Sequence, residues 1–399
     1  MVERTRVDVN LDRIDQPVET MSWLSTADAL AMLQVQQQTL YAYVSRGRIR
    51  ARQDPDDPRR SLYNRNDVER FAKRQAGRHS AATVASEAIA WGEPVLASSI
   101  STVSDGRLWY RGIDAVSWSQ SASLEDTAAW LWQCAPLHFD LASHGVETSS
   151  PSLQRAMMAL VLKSDIGTTT PDPETSIQEG RRLLGLLATA LLGEGGTQEQ
   201  PLHEHMAKAW HVPAAADALR LALVLLADHE LNASTFAARV AASTGASLGA
   251  SLLAGLCTLS GPYHGAAALA AREWMKASGS KSSSGVIDAR DVRFPAFGHP
   301  LYPAGDPRAV ALMAALDMPA HVIDLQKQLE EHSGEAPNID WALAALAETF
   351  GLSEQAPMVI FTLARSVGWI AHCLEQTQTG NLIRPRARYV GPDLRREEP

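Results

Sequence analysis

From about residue 123 onward the chain is built of Ala- and Leu-rich stretches whose apolar positions recur with a 3.6-residue period. No other feature restricts its fold so strongly. Helices are expected over Leu124–Gln133, Ser152–Lys163, Ser176–Leu192, Ala214–His229, Ser234–Leu259 and Met358–Thr379. Strand signals are few and cluster at 95–112, where VLASSISTVSDGRLWYRG suggests short strands around an Asp105-Gly106 turn. A mainly α body follows. With 399 residues, 45% hydrophobic and 20% charged, the chain can bury a sizeable core, which excludes disorder as its main state. Apolar runs such as Leu183–Leu192 and Leu221–Ala227 are too short to cross a bilayer. The first twenty residues carry charges throughout, so no signal peptide is expected. Cys134, Cys257 and Cys373 are too scattered for a disulfide framework or a Cys-based zinc module. A soluble, cytoplasmic protein without a membrane partner is the expectation.

Charge divides the chain unevenly. Residues 1–79 hold 14 Lys and Arg against 11 Asp and Glu, whereas 80–399 hold 22 against 34; within 46–78 the count is 11 to 5. A compact basic piece ahead of an acidic body suggests an anion-binding module. The expected organisation is a tail (1–21), a small domain (22–76), a linker (77–91) and a body (92–399). Ser278–Gly285 reads as a polar surface loop.

In the small domain, Trp23-Leu24-Ser25-Thr26 reads as an N-cap followed by a short helix, Gln34-Val35 as a turn, and Gln36–Ser45 as a second helix closed by Gly47. Ala29, Leu30, Leu33, Leu40 and Val44 form the expected shared core. An Arg-rich hairpin and a helix from Asp67 complete a pattern that resembles the excisionase/MerR-like winged helix-turn-helix family. The resemblance assigns Gln37, Gln38, Tyr41 and Tyr43 to a groove-facing helix, and Arg46, Arg48, Arg52, Arg59 and Arg60 to DNA phosphates. A solvated basic face, or a domain that only mediates oligomer contacts, is the plainer alternative.

Histidine, carboxylate and arginine concentrate in short stretches of the second half: Asp228-His229-Glu230, Gly261-Pro-Tyr-His264-Gly, Phe297-Gly-His299-Pro300 through Asp306-Pro-Arg308, and Asn338-Ile-Asp340, followed by Arg365 and Arg384. Histidines with one acid suit proton transfer, and arginines suit bidentate capture of carboxylates. The three histidines lie 35 residues apart, so no two share a helix face, and no metal site is assigned. His144/Glu147 and His332/Glu335 fall in Gly-containing loops, and His203-Glu-His205 reads as a solvated turn. The string Gly245-Ala-Ser247-Leu-Gly249 lies inside a helical pattern without a preceding strand, so it lacks the elbow of a serine hydrolase. Taken singly, each residue has an ordinary explanation. Asp340 could be a first-turn acid, His264 and His299 turn histidines, His229 a helix-end histidine, and Arg365 a partner stacked on Trp369.

Together and in this order, these stretches resemble the citrate synthase family from about residue 92 to 391. The resemblance implies a large helical domain with a smaller one (approximately 262–355) that closes over substrate, and a homodimer or oligomer of dimers. It implies condensation of an acyl-CoA with oxaloacetate, acetyl-CoA giving citrate or propionyl-CoA giving 2-methylcitrate. Acyl-CoA is then a substrate, and no cofactor is expected. By the same resemblance Asp340 removes the acyl α-proton, His264 stabilises the enol or enolate, and His299 polarises the keto carbonyl. His229, Arg308, Arg365 and Arg384 clamp the carboxylates, Arg384 in a partner subunit's site. Pro300, Pro303 and Glu335-Ala336 stand where the family carries basic residues that help bind CoA; Lys276, Lys281, Arg290 and Arg293 are the substitutes considered. The rival reading is a transcriptional regulator whose synthase-like body senses a dicarboxylate or acyl-CoA.

Overall fold

The computed structural model describes residues 23–54, 57, 59–76, 96–141, 152–164, 172–193, 196–197, 200–279, 296–387 and 391. The chain divides into two compact units, one within residues 1–97 and one spanning 98–282 and 295–399.

In the first unit, strands β1 (Trp23–Leu24), β2 (Ala51–Gln53) and β3 (Ser61–Asn64) form an antiparallel sheet in the order β1-β3-β2. Helix α1 (Thr26–Leu33) starts where the Ser25 hydroxyl accepts the Asp28 N–H, and ends where Gln34 turns left-handed, at φ 52. Helix α2 (Gln37–Ser45) follows the turn. The expected core forms: Ala29, Leu33 and Leu40 are buried, joined by Leu24, Ile49, Tyr63 and Val68, with Leu30 and Val44 packed against them. Helix α3 (Arg65–Ala76) begins two residues before the expected start, and Asn64 Oδ1 accepts the Asp67 N–H at 3.1 Å across its first turn. Buried Asp67 accepts Arg50 Nε at 2.8 Å and the Arg50 N–H at 3.0 Å, tying the strand side to α3.

The second unit opens with a meander of β4 (Ser101–Ser104), β5 (Arg107–Tyr110) and β6 (Ile113–Asp114), with the hairpin at Asp105-Gly106 as expected. Helices then dominate: α4 (Ala115–Ser119), α5 (Leu124–Trp132), α6 (Ser152–Val161), α7 (Pro173–Leu192), α8 (Leu202–Ala209), α9 (Ala216–Leu226), α10 (Ala233–Ser243), α11 (Leu248–Leu259), α12 (Ala267–Gly279), α13 (Pro307–Ala314), α14 (Ala320–Ser333), α15 (Ile339–Thr349) and α16 (Ala356–Thr379).

The single helix expected over Ser234–Leu259 is two. Gly245 adopts φ +80, which ends the run, and the Ser247 hydroxyl restarts it by accepting the Ala250 N–H at 3.2 Å. The helix expected from Ala214 begins as a 3-10 turn over Pro213–Ala215 and ends at Leu226, leaving His229 beyond it. His203-Glu-His205 is not a solvated turn: it lies in α8, with His205 buried on the core side. His332 closes α14 rather than sitting in a loop, and Gly334 caps that helix. His144 and Glu147 lie outside the described residues. So do Lys281 and the rest of the expected loop beyond Gly279, whereas Ser278 and Gly279 end α12.

Helix α16 packs against α5, α7, α9, α10 and α11. By length and composition it could cross a membrane, a span the shorter runs named above did not suggest, yet 89% of its most apolar window is buried inside the protein. A largely apolar helix is what the centre of such a bundle requires.

Candidate active site

Three connections between helices, the first turns of α13 and α15, and one central helix carry the candidate residues. Past α9 the chain runs through Asp228-His229-Glu230 to Asn232, which caps α10 through its bond from the Thr235 N–H. His264 sits in the turn between α11 and α12, three residues ahead of Ala267. The 296–299 loop is laced to the start of α15. Gly298 N–H donates to Ala336 O at 2.8 Å, Asn338 N–H to Ala296 O at 2.9 Å, and Asn338 Nδ2 to Gly298 O at 3.0 Å. This lacing brings His299 toward Asp340, which follows the N-cap Asn338. Arg308 opens α13 and Arg365 lies on α16, both 2% exposed.

The rings of His229 and His299 meet edge to face at 5.2 Å. Tyr302 joins them, its hydroxyl 2.9 Å from His229 Nε2 and its ring 4.9 Å from that of His299. The Arg308 guanidinium lies over Tyr302 at 5.1 Å and is gripped by Asp306 through Nε at 3.0 Å and NH2 at 2.8 Å. Asp306 also accepts the Ile339 N–H at 3.1 Å, so one buried carboxylate fixes both the arginine and the helix that bears Asp340. Arg365 donates to Leu226 O at 2.9 Å and lies over Phe361 at 4.8 Å. It does not use Trp369, the stacking partner the sequence suggested. Phe361 in turn meets the His264 ring edge-on at 6.1 Å.

Proton positions follow from the partners. Leu301 N–H donates to His299 Nδ1 at 3.1 Å, so a neutral His299 carries its proton on Nε2. His264 Nε2 lies 2.8 Å from Ser234 Oγ, which also receives Trp369 Nε1–H at 3.2 Å and reaches Asn232 Oδ1 at 2.8 Å. The single Ser234 hydroxyl proton thus has two takers, Asn232 and the imidazole.

Burial, aided by the guanidinium of Arg365, lowers His264 to about 4, and burial with Arg308 lowers His299 to about 4. His229 is driven well below the usual histidine value by burial first, then by Arg308. All three are neutral at pH 7. Burial raises Asp340 to about 6, against the pull of Arg308 and Arg365. Burial also lowers Arg365, to about 10, and it stays a cation. The result is a set of neutral imidazoles and a carboxylate of unusual basicity beside two buried cations, an arrangement that can hold a dianion and move a carbon-bound proton.

His229, His264, His299, Arg308, Asp340 and Arg365 therefore meet. Arg384 does not: it lies exposed beyond Gly380, without an ion pair among the described residues. Arg290 and Arg293 fall outside the described residues, and Lys276 pairs with Glu354 at 2.6 Å. Tyr302, Asp306 and Ser234 are the contributors the sequence reading left unassigned. The short spacing of Tyr302, Asp306 and Arg308 was the only available signal.

In the first unit, Gln37, Gln38 and Tyr41 are exposed on α2, with Gln37 Nε2 donating to Tyr41 Oη at 2.5 Å. Tyr43 is not groove-facing: it packs on the core with its ring 4.3 Å from Phe71. Arg52 lies over Trp23 at 4.3 Å and Arg60 pairs with Asp57 at 3.2 Å, whereas Arg46, Arg48 and Arg59 are exposed without ion pairs among the described residues.

The chain is similar to known proteins in both sequence and structure. Residues 89–386 match the family described as citrate synthase, C-terminal domain, and residues 23–76 match a helix-turn-helix domain. Citrate synthase of Haloferax volcanii is 31% identical over 342 residues, 72% of this chain and 90% of that one. A 2-methylcitrate synthase of Mycobacterium tuberculosis is 27% identical over 345 residues, 72% of this chain and 86% of that one. The crystal structure of citrate synthase from Thermotoga maritima superposes with a TM-score of 0.62 at 25% identity, covering 77% of this chain and 96% of that one.

Proposed function

Because the chain belongs to the citrate synthase family, and is a citrate synthase-type transferase, we propose that it condenses a short acyl-CoA with oxaloacetate and releases free CoA. The observation that carries this reading is the pairing of a basic, buried carboxylate with neutral imidazoles around two buried arginines.

Arg308 and Arg365 hold the dicarboxylate, with His229 beside them, and fix its keto carbon in one orientation. His299 donates its Nε2–H to the keto oxygen. Asp340 takes a proton from the acyl α-carbon, a weak acid, which is why a carboxylate ionising near 6 serves better than one near 4. When Ser234 turns its hydroxyl proton onto His264 Nε2, the imidazole carries its own proton on Nδ1 and donates it to the thioester oxygen. As a neutral donor it stabilises the developing enolate without first having to lose a charge. The enol carbon then attacks the keto carbon, the new alkoxide takes the His299 proton, and water cleaves the thioester. No bound metal or cofactor enters these steps.

Arg384, exposed beyond the end of α16 in its own chain, is proposed to complete the site of a partner subunit in a cytoplasmic homodimer. Acetyl and propionyl donors differ by one methylene, worth about 1–3 kcal/mol in discrimination, and relatives of both kinds are similar to this chain. The helix-turn-helix unit is proposed to bind duplex DNA, with Gln38 and Tyr41 toward the bases and Arg46, Arg48 and Arg59 toward phosphate.

The test is free-thiol release from acetyl-CoA and from propionyl-CoA with oxaloacetate. Release with either supports the enzyme. Oxaloacetate binding without release from either supports the dicarboxylate-sensing regulator instead.

A further inference from the structure

The residues on either side of His229 are both tied to strand β4. Ser101 Oγ–H donates to Asp228 Oδ2, and the same Oγ accepts the Glu230 N–H at 2.9 Å. Glu230 occupies the left-handed region at φ 51, where a residue with a side chain is held by its contacts. Its carboxylate supplies them, accepting the Thr102 hydroxyl at 3.0 Å and the Val103 N–H at 2.5 Å.

Behind this strap stands α16. Asp228 Oδ2 lies 3.3 Å from His372 Nε2, and His372 Nδ1 lies 3.0 Å from Arg239 NH1. A guanidinium nitrogen only donates, so Nδ1 is the acceptor and the imidazole proton sits on Nε2, facing Asp228. Arg239 completes the row with Glu375 at 2.7 Å and Gln376 at 2.6 Å. Asp228 and His372 are fully buried and Arg239 nearly so. Burying such a row does not favour the fold over apolar packing, which points to a positional use. Gly368 permits the close approach: a Cβ there would stand 2.3 Å from Asp228 Oδ1 and 2.5 Å from Ala227 O, to which the Gly368 N–H donates at 3.0 Å. Arg365, on the same helix, donates to Leu226 O. His229 and Arg365 thus share one frame made of residues 226–230 and α16.

We propose that Asp228, strapped to β4 through Ser101 and backed by His372, is a positioning residue that sets the placement of His229 against Arg365. The ligand so placed, a 2-oxo dicarboxylate, rests on the function proposed above; the positioning does not.

Full-length wild type, Ser101→Ala, Asp228→Ala and Asp228→Asn are compared by calorimetric titration with oxaloacetate, by melting midpoint, and by 15N signals of labelled histidines. His229→Gln and His372→Gln provide the assignments. His372 is expected as the Nε2–H tautomer. Ser101→Ala, whose lowered midpoint still leaves it folded at the titration temperature, is expected to weaken oxaloacetate binding about tenfold and shift the His229 signals, and Asp228→Ala to do so by up to about a hundredfold. Asp228→Asn, which can keep both hydrogen bonds, recovers most of the affinity. Wild-type affinity with unmoved His229 signals in Ser101→Ala overturns the proposal, and this variant decides even where Asp228→Ala fails to fold. Wild type that does not bind oxaloacetate defeats the functional reading alone, because the His229 signals still report the positioning.

Discussion

Replacing Asp340 by asparagine tests the desolvated carboxylate in a way that does not depend on turnover. A carboxyl group that ionises near 3.8 in an open chain ionises near 6 in this site, because burial outweighs the attraction of Arg308 and Arg365. The folded protein therefore holds this proton more tightly than the unfolded chain. Its contribution to stability is complete below about pH 4 and is lost as pH rises through about 6. At 1.36 kcal/mol for each pH unit, the ionised group costs the fold about 3 kcal/mol at pH 8. An amide of the same shape carries no such cost. Asp340→Asn should thus be the more stable protein at pH 8, by about 3 kcal/mol or about 4 °C in melting midpoint. The gain should shrink to under about 1 kcal/mol at pH 4. Turnover should fall by at least about a hundredfold in the same variant, and wild-type turnover should rise with pH through about 6. Paired thermal melts at pH 8 and pH 4 decide it. An asparagine variant equal to or less stable than wild type at pH 8 would refute the claim that this carboxylate is desolvated.

Asp306→Ala strips Arg308 of a two-point partner and the start of α15 of its acceptor, so it should cost about 3–5 kcal/mol in chemical denaturation and raise the KM for oxaloacetate. Tyr302→Phe leaves His229 Nε2 unpaired in a buried setting; a loss of about 1–3 kcal/mol in stability, with weaker dicarboxylate binding, is expected by melting and titration. Gly368→Ala forces a Cβ against Ala227 O and Asp228 and should destabilise by about 2–3 kcal/mol, read from the urea midpoint. For the helix-turn-helix unit, Arg46→Ala should weaken duplex binding across unrelated sequences and reduce the slope of log K against log salt by about 0.9; an unchanged slope removes Arg46 from the phosphate contacts.

The sequence made the helical body legible because its apolar period is strong, and the β4–β5 hairpin legible because Asp105-Gly106 punctuates it. It did not reveal the break at Gly245, since Ala, Ser and Gly around it keep the helical period while only the φ +80 backbone ends the run. Helices α8 and α14 escaped because His203, His205 and a polar 320–333 stretch weaken the apolar stripe that signals a helix. The residues gathered at the candidate site were readable as a set, since His, Asp and Arg beside Gly and Pro stand out from an Ala- and Leu-rich background. Their support was not. Tyr302, Asp306 and Ser234 act through partners tens of residues away, which residue type alone does not disclose. In the small domain the sequence counted arginines, and the structure shows Arg50, Arg52 and Arg60 already engaged, leaving fewer for an anion.

In the proposed reaction Asp340 removes the acyl α-proton while neutral His264 holds the thioester oxygen. Proton exchange in heavy water isolates this step, with acetyl-CoA and a 2-hydroxy dicarboxylate that occupies the oxaloacetate position but cannot condense. Deuterium should enter the acetyl methyl with wild type, and that exchange should be lost both in Asp340→Asn and in His264→Ala. Exchange that continues at the wild-type rate in folded Asp340→Asn would show that another group takes the α-proton.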